Sequence, residues 1–261
     1  MYKSYQKEVN DLILSGNILN FKTNRQYNGI LEHVSFEQGN EYIYLIQKTI
    51  SEDFSEITFE NINDYLLLND SYGSPLQKQF IYNDTSILCS PTSLRYILHA
   101  LLILKHLKYT SLTKIVEVGC GYGGLFLAIN HFSKILNIQI NNYYFIDLPE
   151  ITKLIEKYLL LHKEKININY FIHSSCNYGK DIDDNNLFFI SNYCFTEIDA
   201  EHRIKYIDSL FPKIKNGFII WQTIFNLPIQ SVHIIGKEVI KIAEEYPQTA
   251  TIDNKNYYVY F

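Results

Sequence analysis

The chain has 261 residues, of which 47% are hydrophobic and 20% are charged, so it can bury a sizeable core and is not a disordered chain. A net charge of -5 and a pI near 5.9, with no basic block, argue against nucleic acid or an anionic membrane as partner. The cysteines Cys89, Cys120, Cys176 and Cys194 form no C-x-x-C pair, so we expect no metal site and a reduced, cytoplasmic protein.

The first 110 residues have the pattern of a mainly helical region. We predict helices over Tyr2–Leu14, Tyr42–Thr49 and Phe59–Leu68. The clearest helix is Ser90–Leu107, because Ser90 can cap it, Pro91 suits its first turn and leucines recur at helical spacing. Its apolar run, ILHALLILKHL, is too short to cross a bilayer, and the N-terminus lacks the apolar run of a signal peptide.

After residue 110 the pattern changes to alternating strands and helices. We predict strands at Lys114–Val118, Tyr143–Ile146, Ile166–His173, Leu187–Ser191 and Gly217–Trp221. We predict helices at Gly124–Leu136, Pro149–His162, Ala200–Ile214 and Ile234–Glu245, and a final hairpin of Thr249–Asp253 and Tyr257–Phe261. Such alternation indicates a parallel sheet covered by helices. The link SSCNYGKDIDDNN between strands three and four is short, so we expect a short or irregular helix there.

The most informative stretch is KIVEVGCGYGG, in which a strand runs into glycines that open a helix. Such a turn presents backbone N–H groups and a positive helix end to a ligand. GCGYGG fits the dinucleotide pattern G-x-G-x-x-G, and also a G-x-G-x-G turn preceded by an acid. Glu117 would repel a pyrophosphate, whereas S-adenosylmethionine has a sulfonium, an ammonium and a carboxylate but no phosphate. The alternative is that Glu117 is a surface acid at the strand end.

A second acid, Asp147, ends the next strand. A carboxylate there can accept both hydrogen bonds of a ribose diol. It lies 28 residues after Gly119 (147 − 119), against about 20 in the dinucleotide fingerprint. The alternative is a helix capping box, with Pro149 in the first turn and Glu150 at its third position.

Polar residues also follow the third and fourth strands, at the edge where open α/β sheets bind ligands. Asn192 could hold the methionine part of the cofactor, with Tyr193 beside it, and Ser174 and Ser175 could face an adenine. The alternatives are ordinary packing for Tyr193 and a plain loop for the two serines.

A reaction at this edge of the sheet would benefit from a general base, for which we consider Glu197, His202 and His33. Glu197 lies on the same loop as Asn192 and could instead be an acid that stabilises the following helix N-terminus. His202 lies in a first helical turn that we expect to be exposed, and His33 lies in the N-terminal region.

Three motifs in this order, VEVGCGYGG, FIDLPE and SNYCFTE, resemble class I S-adenosylmethionine-dependent methyltransferases. With SPTSLRYILHALLILKHL and ILEHVS, the chain is similar to the putative sugar O-methyltransferase family over roughly residues 28–261. The resemblance implies an α/β fold with a Rossmann-like seven-stranded sheet, an antiparallel last strand and a C-terminal hairpin. It also implies an acceptor-binding helical cap, residues 1–110, and a catalytic domain, residues 111–261. The implied cofactor contacts are Glu117, Gly119, Gly121, Tyr122, Asp147 and Leu148.

The function predicted from the sequence is therefore transfer of a methyl group from S-adenosylmethionine to a hydroxyl of a sugar or nucleotide-sugar. Arg95 and Tyr96 on the Ser90–Leu107 helix could bind that acceptor, although Arg95 could also be a solvated helix residue. Two alternatives stay open: a nicotinamide-dependent oxidoreductase that uses GCGYGG as its dinucleotide turn, and a non-catalytic binding module. The tyrosine-rich N-terminal part could supply a homo-oligomer interface.

Overall fold

The structure, a computed structural model, describes residues 2–223, 227–250 and 254–261. These residues form two compact units that alternate along the chain. The first unit comprises Met1–Lys105, Gly121–Gln139 and Lys153–Asn167, and the second comprises His106–Cys120, Ile140–Thr152 and Ile168–Phe261. The predicted division at residue 110, into a helical N-terminal cap and a cofactor-binding domain, stays a prediction.

The first unit is mainly helical. Its helices are α1 (Tyr2–Leu14), α2 (Arg25–Leu31), α3 (Phe36–Asp53), α4 (Phe59–Asp70), α5 (Pro91–Lys108), α6 (Gly124–Ile135) and α7 (Pro149–Leu161). A 3-10 helix, Asn17–Thr23, lies between α1 and α2, and α5 and α7 each include a few residues of the second unit. The four helices predicted before residue 110 are confirmed.

Two of these helices begin with the same reciprocal cap. The Ser35 hydroxyl accepts a hydrogen bond from the Gln38 backbone N–H at 3.1 Å, and the Gln38 side chain accepts one from the Ser35 N–H at 3.0 Å. Thr58 and Asn61 repeat this arrangement at the start of α4. Each cap satisfies two N–H groups that a helix start otherwise leaves unpaired, which sets where α3 and α4 begin.

The first unit also contains a hairpin that the sequence reading missed. Strands β1 (Lys78–Tyr82) and β2 (Thr85–Cys89) pair antiparallel. Their two-residue turn, Asn83 and Asp84, has φ of 44° and 61°, which is the left-handed backbone of a tight hairpin turn. Alternate residues are buried, so the period-2 signal was present in a region that we interpreted as turns and helices.

The second unit is built on a seven-stranded sheet. Its strands are β3 (Lys114–Val118), β4 (Asn142–Asp147), β5 (Asn169–Ser174), β6 (Leu187–Asn192), β7 (Ile214–Gln222), β8 (Lys241–Glu244) and β9 (Asn256–Tyr260), and helix α8 (Ala200–Ser209) follows β6. The strand order is β5-β4-β3-β6-β7-β9-β8. Strands β3 to β7 pair in parallel, whereas β9 is antiparallel to both β7 and β8. The predicted fold class, including the antiparallel last strand, is confirmed.

One face of this sheet carries a large apolar cluster within the second unit. Val116, Ile146 and Phe189 of the central strands pack with Tyr206 of α8 and Phe211 of the 3-10 helix that follows it. The short link between β5 and β6 contains only a 3-10 helix, Ser175–Asn177, as expected from its length. Because β3 to β7 are parallel, their carboxyl ends lie at one edge of the sheet.

The predicted helix Ile234–Glu245 is wrong. The chain instead forms a 3-10 helix, Ile229–Ile235, which ends at Gly236 with φ of 63°, and then strand β8. The Ile240 N–H donates to the Tyr260 carbonyl at 2.8 Å, so pairing with β9 overrides the helical spacing of these apolar residues.

The terminal hairpin exists, but its first arm is β8 rather than the predicted Thr249–Asp253. Residues 251–253 of that predicted arm lie outside the described residues.

Candidate functional site

The strand order creates a crevice at the carboxyl ends of β3 and β6. The chain runs from β3 outward through β4 to β5, and then returns to place β6 on the other side of β3. In open α/β sheets, ligands bind at such a reversal of strand order. Ser191 at the end of β6 donates to the Val118 carbonyl of β3 at 2.8 Å and accepts from the Phe195 N–H at 3.0 Å, which fixes both strand ends.

The turn after β3 needs glycine at its first position. Gly119 has φ of 82°, and a Cβ built on it would lie 2.2 Å from the Cβ of Cys194. Gly121 and Gly123 also have positive φ, at 58° and 93°, and Gly123 is the N-cap of α6 without a side-chain cap. The turn therefore exposes backbone rather than side chain, as ligand-binding turns do.

Asp147, at the end of the neighbouring strand β4, accepts a hydrogen bond from the backbone of this turn. Its Oδ2 accepts the Cys120 N–H at 2.6 Å, and its Oδ1 accepts the Leu148 N–H at 2.7 Å. The side chain is only partly buried, and each carboxylate oxygen can accept further hydrogen bonds. One N–H group of the glycine turn is thus already held by a carboxylate, and Leu148 serves as a backbone donor to it.

Glu117 is buried, so the alternative of a surface acid is wrong. It is 2% exposed, and its Oε2 accepts the hydroxyl of Tyr143 at 2.7 Å. Burial, and to a smaller extent the nearby Asp147, raise the pKa of Glu117 to about 8, although the Tyr143 hydrogen bond opposes the rise. The Glu117 carboxyl is consequently mostly protonated at pH 7.

The other predicted residues of this edge lie at the ends of their strands. Ser174 pairs in register with Asp147, and its hydroxyl accepts the Cys176 N–H at 3.3 Å, which leads into the 3-10 helix that Ser175 begins. Asn192 ends β6 and is partly buried, and Tyr193 follows it with φ of 65°. All four residues belong to the second unit, and Ser174 is the direct neighbour of Asp147 on the adjacent strand.

Of the three candidate bases, Glu197 shares the crevice loop. It is partly buried, and its N–H donates to the Cys194 carbonyl at 2.9 Å. The Gln222 amide is assigned with its nitrogen toward Glu197, because only this orientation gives the nitrogen acceptors, and it then donates to Glu197 Oε1 at 3.1 Å. His202 is exposed in the first turn of α8, as expected, with Nδ1 2.8 Å from Asp199 Oδ1. Asp199 is the N-cap of α8, so Glu197 precedes the helix rather than lying in its first turn.

The third candidate base, His33, belongs to the first unit. His33 as a whole is exposed, but its ring lies against other protein groups. This partial burial of the ring, together with the charge of Arg95, lowers the pKa of His33 to about 4. Arg95 and Tyr96 are 4% and 8% exposed, so the alternative of Arg95 as a solvated helix residue is wrong. The Tyr96 ring contacts Tyr122 edge-on, with centroids 5.8 Å apart.

Tyr122, although part of the glycine turn, packs entirely within the first unit. Its side chain is fully buried, the Lys22 Nζ lies 4.5 Å from its ring centroid, and the Phe21 and Tyr158 rings pack edge-on at 5.2 and 4.9 Å. Its hydroxyl accepts from the Asn69 amide at 3.1 Å. A contact between Tyr122 and a ligand is therefore left to its backbone.

Sequence reasoning missed four residues of this region: Tyr143, Cys194, Gln222 and Glu245. Gln222 ends β7 and could have been found by the rule that located Asn192, since both are the last residues of parallel strands. Tyr143 and Cys194 act through contacts between distant segments, with Glu117 and Gly119 respectively. Glu245 fell in the segment wrongly predicted as a helix.

The acidic loop after β5 is tied into ion pairs. Asp184 pairs with Lys114 and accepts from the Tyr144 hydroxyl, and Asp181 Oδ2 lies 2.9 Å from His173 Nδ1. Within the described ranges, no group of three or more His, Cys, Asp or Glu side chains is arranged to hold a metal ion. Nor is any helix in the described part of the chain long and apolar enough to cross a membrane.

No protein-family model matches the sequence, and no curated protein sequence matches it either. Solved structures with similarity to the chain include a SAM-dependent methyltransferase from Aquifex aeolicus, at 18% identity and a TM-score of 0.46, covering 64% of this chain and 91% of that one. TehB from Haemophilus influenzae has 14% identity and a TM-score of 0.46, with 67% and 68% of the two chains covered. The glycopeptide N-methyltransferase MtfA, complexed with S-adenosyl-L-methionine, has 9% identity and a TM-score of 0.43, with 63% and 86% covered.

Proposed function

We propose that this protein is an S-adenosylmethionine-dependent O-methyltransferase that acts on a hydroxyl of a sugar or nucleotide-sugar. The observation that carries the cofactor assignment is the Asp147 carboxylate on the Cys120 N–H of the glycine turn, at 2.6 Å. A cytoplasmic location is part of the proposal, on the scattered cysteine spacing of the sequence.

The Asp147 contact favours a ligand without phosphate. A pyrophosphate-binding turn offers its N–H groups to the ligand, whereas here one of them is occupied by a carboxylate that would repel an anion. The same carboxylate suits a ribose diol, since its oxygens can accept two further O–H groups. S-adenosylmethionine combines a ribose diol with positive charge, which matches this donor and acceptor set.

The residues that would hold the cofactor follow from their places on the sheet edge. Asp147 would accept the ribose hydroxyls, Gly119 and Gly121 would allow close approach of the backbone, and Asn192 would bind the methionine part. Ser174 and Ser175 would lie toward the adenine. When bound, the cofactor supplies an electrophilic methyl group.

Glu197 is the general base in this proposal. Its partly buried carboxylate lies on the loop after Asn192 and is oriented by the Gln222 amide at 3.1 Å. It would accept the proton of the acceptor hydroxyl, which makes the oxygen a better nucleophile, a contribution of about 10²–10⁴-fold in rate. His202 is less suited because it is exposed and paired with Asp199. The sugar acceptor is proposed on the sequence resemblance, with Arg95 and Tyr96 as its binding residues.

Calorimetric titration with S-adenosylhomocysteine, with NADH as the second titrant, tests the cofactor. We expect a micromolar Kd for S-adenosylhomocysteine and no binding of NADH. Binding of NADH alone would mean that GCGYGG is a dinucleotide turn and that the protein is an oxidoreductase.

The acceptor is tested separately with S-adenosylmethionine labelled in its methyl group and a panel of monosaccharides and nucleotide-sugars. We expect label to appear as an O-methyl ether on at least one sugar. Transfer confined to amine or carbon acceptors would overturn the sugar assignment. Cofactor binding without transfer to any acceptor would instead favour the non-catalytic binding module.

A further inference from the structure

Tyr193 has a strained backbone at the point where β6 meets the crevice. Its φ of 65° lies in the left-handed region, which is unfavourable for a residue with a Cβ. Asn192 directly before it and Glu197 four residues later are both assigned to the site. A strained residue in such a place persists only where its surroundings hold it there.

The C-terminal hairpin contacts Tyr193 through a hydrogen bond. The Tyr193 hydroxyl donates to Oε1 of Glu245, the residue directly after β8. Glu245 is 1% exposed, and its Oε2 accepts the Thr249 N–H at 3.0 Å, the Thr249 hydroxyl at 2.8 Å and the Asn256 side-chain amide at 2.9 Å. With one oxygen fixed by the hairpin, the carboxylate presents the other at a defined position.

The end of β7 also contacts the segment Tyr193–Glu197. The side-chain nitrogen of Gln222 faces the Tyr193 carbonyl as well as Glu197 Oε1, and the Gln222 backbone N–H donates to the Thr196 hydroxyl at 3.3 Å. The segment Tyr193–Glu197 is therefore held by its backbone from β7 and by its aromatic hydroxyl from the hairpin. Glu245 is the more informative of the two, because it contacts the Tyr193 side chain directly through the hydroxyl.

We propose that Glu245 is a positioning residue for the cofactor crevice, acting through the Tyr193 hydroxyl to keep the end of β6 in its ligand-binding conformation. This inference rests on the proposed function, because it assumes that the β3–β6 crevice binds S-adenosylmethionine. A purely structural Glu245 would stabilise the hairpin without affecting ligand affinity. The two roles differ in whether the effect of Glu245 on affinity passes through Tyr193.

The test is a double-mutant cycle on S-adenosylhomocysteine affinity with wild type, Tyr193→Phe, Glu245→Gln and the double variant. We expect each single change to weaken binding about tenfold, the weight of one charge-assisted hydrogen bond, and the double variant to bind no more weakly than either. Glu244→Gln is the matched control, since Glu244 is exposed and pairs with Lys255 at 2.8 Å, and it should bind as wild type. Thermal melts verify that each variant is folded.

Wild-type affinity in both single variants, or losses that multiply in the double variant, would overturn the proposal. Should Glu245→Gln not fold, Tyr193→Phe decides alone, because it leaves every hairpin bond of Glu245 intact: a tenfold loss supports the role and unchanged affinity refutes it. If wild type itself does not bind S-adenosylhomocysteine, the proposed function fails and this inference falls with it.

Discussion

At the scale of single residues, the two acids near the glycine turn, Glu117 and Asp147, have different surroundings. Glu117 is enclosed with the Tyr143 hydroxyl and is mostly protonated at pH 7, because its pKa is raised to about 8. Asp147 is partly buried and accepts two backbone N–H groups at the glycine turn. One acid is thus a buried hydrogen-bond acceptor for a tyrosine, and the other is a partly buried acceptor for the backbone of the turn.

Glu117 should make stability depend on pH in a defined window. Between its ordinary pKa of 4.5 and its folded pKa of about 8, the folded chain holds a proton that the unfolded chain releases, so the free energy of unfolding falls as pH rises. Glu117→Gln removes this dependence while keeping an acceptor for Tyr143. We expect the variant to gain roughly 3–5 kcal/mol over wild type from pH 5 to pH 9. Urea unfolding at several pH values measures this, and a constant difference would contradict it.

Asp147→Asn should weaken S-adenosylhomocysteine binding by at least about tenfold, because an amide cannot accept from both backbone N–H groups and from a ribose diol. Calorimetry measures the change. Asp183→Asn is the control, since Asp183 is an exposed acid in the loop before β6 and should leave the affinity unchanged. Equal affinities in the Asp147 variant and wild type would remove Asp147 from the site.

At the scale of elements, the local patterns were sufficient wherever the chain alternates apolar strands with amphipathic helices. β3 was predicted to the residue, and β4, β6, α6 and α7 within one or two residues of each end, because buried parallel strands are short apolar runs between turn signals. β8 was missed because it is an edge strand whose side chains are mostly exposed, so its pairing with β9 leaves little apolar alternation to detect.

The glycine turn provides a prediction at this scale. Gly119→Ala combines a backbone at φ of 82° with a Cβ placed 2.2 Å from that of Cys194, so we expect a loss of stability of more than about 2 kcal/mol. Gly29→Ala in α2 is the control, because it has ordinary helical φ and open space around its Cβ, and should be neutral or gain up to about 1 kcal/mol. Thermal denaturation compares the two; equal melting temperatures would contradict the turn assignment.

At the scale of the whole molecule, the two units each draw on separate parts of the sequence. The first unit takes α1 to α4 and most of α5 from the N-terminal region, but also α6 and most of α7 from between the strands. Within it, Tyr122 and Tyr158 pack against Phe21, and the Tyr65 hydroxyl donates to the Gly124 carbonyl at 3.1 Å. A cut at residue 110 would divide this unit.

The fragment 111–261 should therefore not fold by itself. Removal of the N-terminal region would expose Tyr122 of the glycine turn and Tyr158 of α7, which are fully buried in the full chain. We expect the fragment to bind the dye ANS and to melt without a cooperative transition, whereas the full chain melts cooperatively. A cooperative melt of the fragment would show that the catalytic region is an independent domain.

The sequence by itself determined the order of strands and helices from β3 to β7, the glycine turn and the two acids beside it, because strand runs, helical spacing and glycine clusters are local signals. Only the tertiary structure decided what each of these residues contacts. Glu117 meets Tyr143 across two strands, Cys194 requires glycine at position 119, and Tyr122 turns from the glycine turn into an aromatic cluster. The hydrogen bond between Tyr193 and Glu245 joins residues 52 positions apart. Such contacts depend on strand order and sheet register, which bring together segments that no local pattern relates.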